Sequence, residues 1–99
     1  MTPVSSLMSA LSDPTRLGAL QLLWDGKEHC VCELMKRLGA TQSRMSRHMG
    51  VLKSAGLVVD RRDAQWVRYR RNPALSRELT TIVNAVVAAL PAEKRKKAA

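Results

Sequence analysis

Cys30 and Cys32, separated by a single residue, carry the most reactive chemistry in this 99-residue sequence. A thiolate is both a nucleophile and a ligand for soft metals, and the N-terminal end of a helix favours it. The apolar positions that follow, Val31, Leu34, Met35 and Leu38, predict a helix starting near Cys30 or Val31. Positions two apart on a regular helix diverge by about 200°, at 3.6 residues per turn. Both sulfurs therefore reach one small ion only if the first turn unwinds or the helix starts late, and a disulfide between them is awkward. Three readings stay open: small buried hydrophobes, a redox pair, or a metal site with Cys30 and Cys32 as ligands. His29 is a further donor in the third case, for zinc or another borderline ion. An ion pulling on both sulfurs would deform the helix start and shift the element after it.

The elements that position this pair are legible from apolar spacing. Val4, Leu7, Met8 and Leu11 make one helical stripe. Asp13-Pro14 reads as an N-cap with proline at the first helical position, opening a second helix that carries Leu17, Leu20, Leu22, Leu23 and Trp24 and ends at Asp25-Gly26. The helix after the cysteines stops at Gly39. Thr41 is the expected N-cap of a fourth, Gln42 to Ala55, with Met45, Met49 and Leu52 inward and Gly56 at its end. Two helices joined by the short Leu38–Gln42 turn form a helix-turn-helix signature. Leu57–Asp60 and Trp66–Arg70 are expected strands, linked by a tip of Arg61 to Gln65. A last helix follows with Leu75, Leu79, Ile82, Val83, Val86, Val87 and Leu90, stopped by Pro91. The expected fold is mainly α with a small β-hairpin, in the order α-α-α-α-β-β-α. Residues 1–91 form one domain, and 92–99 read as a basic, disordered tail.

The charge points to a polyanion. Seventeen Lys and Arg against eight Asp and Glu leave a net +9. Ten of those basic residues fall between Lys36 and Arg71, where only Asp60 and Asp63 oppose them. Nucleic acid is favoured over an acidic membrane, because the basic residues do not follow one long helix. No signal peptide is visible and no apolar run approaches about 18 residues, so no membrane span is expected. Two cysteines make no extracellular framework, and a reducing, cytoplasmic location is expected.

A helix that enters a major groove needs apolar residues behind and hydrogen-bonding residues in front. On the fourth helix, Gln42, Ser43, Ser46 and Arg47 fall opposite the methionines; Ser43 and Arg47, four apart, project together. Arg44 at the edge suits a phosphate. His48 suits either a phosphate or a packed, hydrogen-bonded place. On the hairpin, Arg61, Arg62, Gln65 and Arg68 flank a tip suited to a minor groove or a backbone, and Trp66 is expected in the core. The plainer readings are a solvated amphipathic helix and an ordinary basic hairpin. The pairing of the two elements favours DNA. Catalysis is not expected: the carboxylates are scattered and neither His has a nucleophile with an orienting partner. The competing binding function is a basic surface for an acidic protein.

Several segments together resemble the ArsR/SmtB family of metal-responsive repressors: Leu11-Ser12-Asp13-Pro14-Thr15-Arg16, Cys30-Val31-Cys32-Glu33-Leu34, Thr41 to Met49, Leu52 to Val58, and Arg61 to Tyr69. The likeness spans about residues 5 to 90. It implies a winged helix-turn-helix, a homodimer formed through the first and last helices, a double-stranded DNA operator, and release by an inducer. The Cys-Val-Cys is similar to that of the arsenic-sensing branch, which implies arsenite or antimonite as inducer and no obligatory cofactor. That branch often has a third cysteine where this chain has Met35, so an exogenous thiol completing the site, a redox response, another soft metal, or no effector remain alternatives. Residues 74 to 90 hold no His and only Glu78, which argues against a zinc site on the last helix.

Overall fold

The computed structural model describes residues 2–91, so the expected basic tail, 92–99, lies outside the described residues. Five helices and three strands follow in the order α1 (Pro3–Ala10), α2 (Pro14–Leu23), β1 (His29–Cys30), α3 (Val31–Leu38), α4 (Gln42–Ser54), β2 (Val58–Asp63), β3 (Trp66–Arg71) and α5 (Arg77–Ala89).

Local chemistry sets the helix ends. Asp13 accepts hydrogen bonds from the backbone N–H groups of Thr15 and Arg16, and Pro14 takes the position where no N–H is needed. Thr41 caps α4 by accepting from Arg44 N–H at 3.3 Å. Between α3 and α4 the chain turns through Gly39, whose φ of 68° is left-handed and closes α3 by donating to Met35 O.

The sheet departs from the expected lone hairpin. A third, two-residue strand, β1, pairs antiparallel with β3, giving the order β1-β3-β2. Two residues are too short to show a period, and β1 exists only because β3 offers a free edge. The hairpin strands also run further than expected. Asp63 pairs with Trp66, so Arg61 and Arg62 lie within β2 and the turn is only Ala64-Gln65, with Ala64 at φ 57°. Trp66, expected in the core, is 36% exposed, because it pairs with Asp63 at the end of the hairpin, next to the turn. The last helix begins at Arg77, capped by Ser76, rather than near Leu75.

The core lies where α2, α3, α4 and the sheet meet. Leu7, Leu20, Leu23, Leu34, Met45, Met49, Leu52, Leu57 and Val83 are fully buried. Each large apolar side chain removed from water contributes about 1.5–3 kcal/mol. Polar contacts tie α5 to α2: Trp24 Nε1 donates to Asn84 Oδ1 at 2.6 Å, and Gln21 Nε2 to the Pro91 carbonyl at 2.9 Å. Arg71 lies 4.7 Å over the Trp24 ring, a cation–π contact joining β3 to the end of α2.

Candidate nucleic-acid interface and cysteine pair

The outer face of α4 is a polar ridge on an apolar anchor. Met45, Met49 and Leu52 are at 0% exposure, whereas Gln42, Ser43, Arg44, Ser46 and Arg47 are exposed. No carboxylate among the described residues meets Arg44 or Arg47. His48 differs from its neighbours. Its side chain is only 15% exposed and Nδ1 lies 3.2 Å from Arg16 Nη1 and 3.9 Å from Asp13 Oδ1, so it packs on the start of α2 instead of joining the ridge.

Arg16 in turn donates to the Ala10 carbonyl at 2.8 Å, which links α1, α2 and α4 at one corner. Burial opposes the Asp13 charge, but the N–H groups of Arg16 and Thr15, with the nearby His48 and Arg16 charges, hold its carboxyl below the ordinary 3.8. A depressed folded-state value gives stability that is present above the ordinary range and lost as pH falls through the lowered one. Asp13→Ala should cost about 0.5–2 kcal/mol at neutral pH, the range for losing an N-cap. The difference from the parent should vanish in acid, as checked by urea unfolding at pH 7 and in strong acid; an equal difference at both would contradict the assignment.

The wing is less free than its composition implies. Arg61 donates to Glu28 through Nε at 2.7 Å and Nη2 at 2.9 Å, and Arg68 Nε donates to Asp63 Oδ2 at 2.7 Å. The Arg61 hydrogen bond holds the Glu28 carboxyl below its usual range, and Arg68 does the same for Asp63. Arg62 and Gln65 are exposed at the distal end of the hairpin, and Arg70, which sequence reasoning left out of the interface, is exposed on β3 opposite Val59, nearer the base of the hairpin. A cleft of about 320 Å³ on the hairpin is lined by Glu28, Arg61, Arg68 and Arg70 among others. Neither partnership was visible locally, since Glu28 and Arg61 are 33 positions apart and Asp63–Arg68 depends on the turn length.

Cys30 and Cys32 are joined as a disulfide, which corrects the expectation that this spacing resists one. The helix starts late. Cys30 is the N-cap of α3, with extended backbone at φ −67° and ψ 143°, and only Cys32 lies within the helix. The roughly 200° divergence of a regular helix therefore does not apply, and the Cα atoms come within 5.1 Å. In this oxidised form neither sulfur is a thiolate. Cys30 also belongs to β1, opposite Arg68, which is itself opposite Arg61, so the three form one transverse row of the sheet. Thus Cys30 joins the start of α3 to the sheet through its backbone.

His29, a candidate metal donor, has both ring nitrogens engaged: Nδ1 is 3.0 Å from Glu33 Oε1, and Nε2 is 3.1 Å from each Asp25 oxygen. Burial disfavours its charge, but the two carboxylate hydrogen bonds outweigh burial and raise its pKa above 6.5. Among the described residues, no group of three or more His, Cys, Asp or Glu side chains is placed to hold a metal ion. Met35 is partly buried against the core. No helix among the described residues is long and apolar enough to cross a membrane.

Comparison with known proteins meets this geometry from outside. The profile of a family described as "Bacterial regulatory protein, arsR family" matches residues 13–59. The chain is 48% identical over 69 residues to the arsenic resistance transcriptional regulator ArsR2 of Pseudomonas putida, covering 70% of this chain and 60% of that protein. It is 43% identical over 67 residues to the arsenical resistance operon repressor of Escherichia coli, covering 68% and 57%. The chain thus spans somewhat less than two thirds of the length of these relatives. Among solved structures, a homodimeric winged helix-turn-helix DNA-binding domain from Mycobacterium bovis, described as a possible ArsR-family regulator, superposes with a TM-score of 0.72 at 27% identity, over 87% of this chain and 76% of that one.

Proposed function

The chain belongs to the ArsR family of bacterial regulatory proteins, and from that premise we propose that it is a dimeric transcriptional repressor, released from its operator when arsenite or antimonite binds reduced Cys30 and Cys32. The observation that carries the DNA reading is the α4 ridge: five exposed polar side chains on a helix whose other face is fully buried. Gln42, Ser43, Ser46 and Arg47 read base edges in the major groove, and Arg44 meets a phosphate. Arg62 and Gln65 reach the flanking groove or backbone, while Arg61 and Arg68 must exchange Glu28 and Asp63 for phosphate to do the same. The names of the arsenic-resistance relatives support the inducer class. The late start of α3 supports it too, because it lets both sulfurs of reduced protein face one thiophilic ion. A third ligand would come from outside, as an exogenous thiol. Val4 and Met8 on α1, 47% and 48% exposed, together with the half-buried Ile82, Val86 and Val87 of α5, support a homodimer through the first and last helices. No obligatory cofactor and no catalytic step belong to this reading.

Fluorescence anisotropy on a duplex selected from a random library tests it, with competitor DNA present and salt varied. Arg47→Ala should lose about 1–3 kcal/mol of binding and relax discrimination at one base position. Arg44→Ala should weaken all sequences alike. A chain that binds every duplex equally, or none, contradicts the proposal.

A further inference from the structure

The disulfide occupies the two sulfurs that the inducer needs, and in this oxidised form the elements that present α4 are in place. With the pair joined, α3 is helical from Val31, Cys32 N–H donates to Cys30 Sγ at 3.2 Å, and Cys30 keeps its place opposite Arg68 in the β1–β3 ladder. Leu34 on α3 and Met45 and Met49 on α4 are at 0% exposure. Disulfide sulfur is not a thiolate, and thiolate is the form that binds a soft ion. We propose that the Cys30–Cys32 disulfide is a closed state of the inducer site: the oxidised chain keeps its DNA-reading surface and is blind to thiophilic ions. Oxidation then holds the protein on DNA instead of releasing it. The inference rests on the reading above, that the reduced pair takes the ion.

The chemistry balances with a peroxide as oxidant. One thiolate attacks the O–O bond, forming a sulfenic acid and releasing one water. The second thiolate displaces hydroxide from that sulfur, and the hydroxide leaves as the second water. Two thiols and one hydrogen peroxide become one disulfide and two waters, with two electrons passing from sulfur to oxygen. Cys32, which is exposed, is open to the first attack, and the neighbouring Cys30 resolves it.

The test uses the full chain and a duplex selected by its reduced form. One portion is reduced with a phosphine, which does not compete for arsenite as a dithiol would. The other is treated with hydrogen peroxide and then freed of it, with the intramolecular disulfide scored by mass and by loss of maleimide labelling. Both forms should bind the duplex within about threefold of each other. Arsenite should release the reduced form, while the oxidised form should need at least about tenfold more, and the phosphine should restore the response. Loss of DNA binding on oxidation alone would overturn the proposal, because oxidation would then be a trigger. So would release of the oxidised form at the same arsenite concentration, or failure of peroxide to form the disulfide. A reduced chain that binds DNA but ignores arsenite overturns the inducer reading itself, and the closed state falls with it; that outcome is visible in the reduced portion alone.

Discussion

Leu34→Ala should lower the free energy of unfolding by about 2–5 kcal/mol, the range for truncating a fully buried leucine. Leu34 is at 0% exposure on α3, where that helix packs on α2, α4 and β3. The loss has two parts. The apolar atoms no longer leave water on folding, and the cavity left behind closes poorly because rigid elements surround it on several sides. Each kcal/mol lowers the melting temperature of a domain this size by roughly 4–8 °C, so the change is readily seen by circular dichroism at matched protein concentration. A melting curve indistinguishable from the parent would mean that α3 is not seated as described. Because α3 carries the sulfur pair on one end and packs against α4, the variant should also bind DNA less tightly, in proportion to its unfolded fraction.

The second large effect concerns the inducer. A chain carrying both Cys30→Ser and Cys32→Ser should stay on its duplex at arsenite concentrations at least about tenfold above those that release the parent. A serine hydroxyl is not a soft ligand at neutral pH and cannot replace thiolate. Serine is nevertheless a good N-cap, so at position 30 the start of α3 should survive the exchange. That separates loss of the ligand from loss of the helix. Anisotropy titrations of both proteins against arsenite decide the matter, and release of the double variant at the parent's concentration would remove Cys30 and Cys32 from the sensing role.

The helices were readable in advance because each carries its own instructions. Asp13-Pro14 and Thr41 announce their helix starts, Gly39 announces a stop, and the methionines at 45 and 49 repeat at the helical period. The exposed face of α4 follows directly from that period, so its polar ridge was already implicit in the residues. The strands were readable as a pair, from the alternation at Trp66 to Arg70, although their length was underestimated.

What the chain determined alone is therefore whatever depends on near neighbours: helix starts and stops, the buried side of α4, the basic excess and the presence of two thiols one residue apart. Only the tertiary structure decided which cations are already answered, since Glu28 reaches Arg61 and His48 reaches Arg16 across more than thirty positions. It also decided that Cys30 sits outside α3, in a two-residue strand. Pairing with β3 creates that strand, and no local pattern can report a partner nearly forty residues away. Long-range contacts choose among conformations that local preferences leave close in energy, and here they placed the sulfur pair at the junction of the helix and the wing.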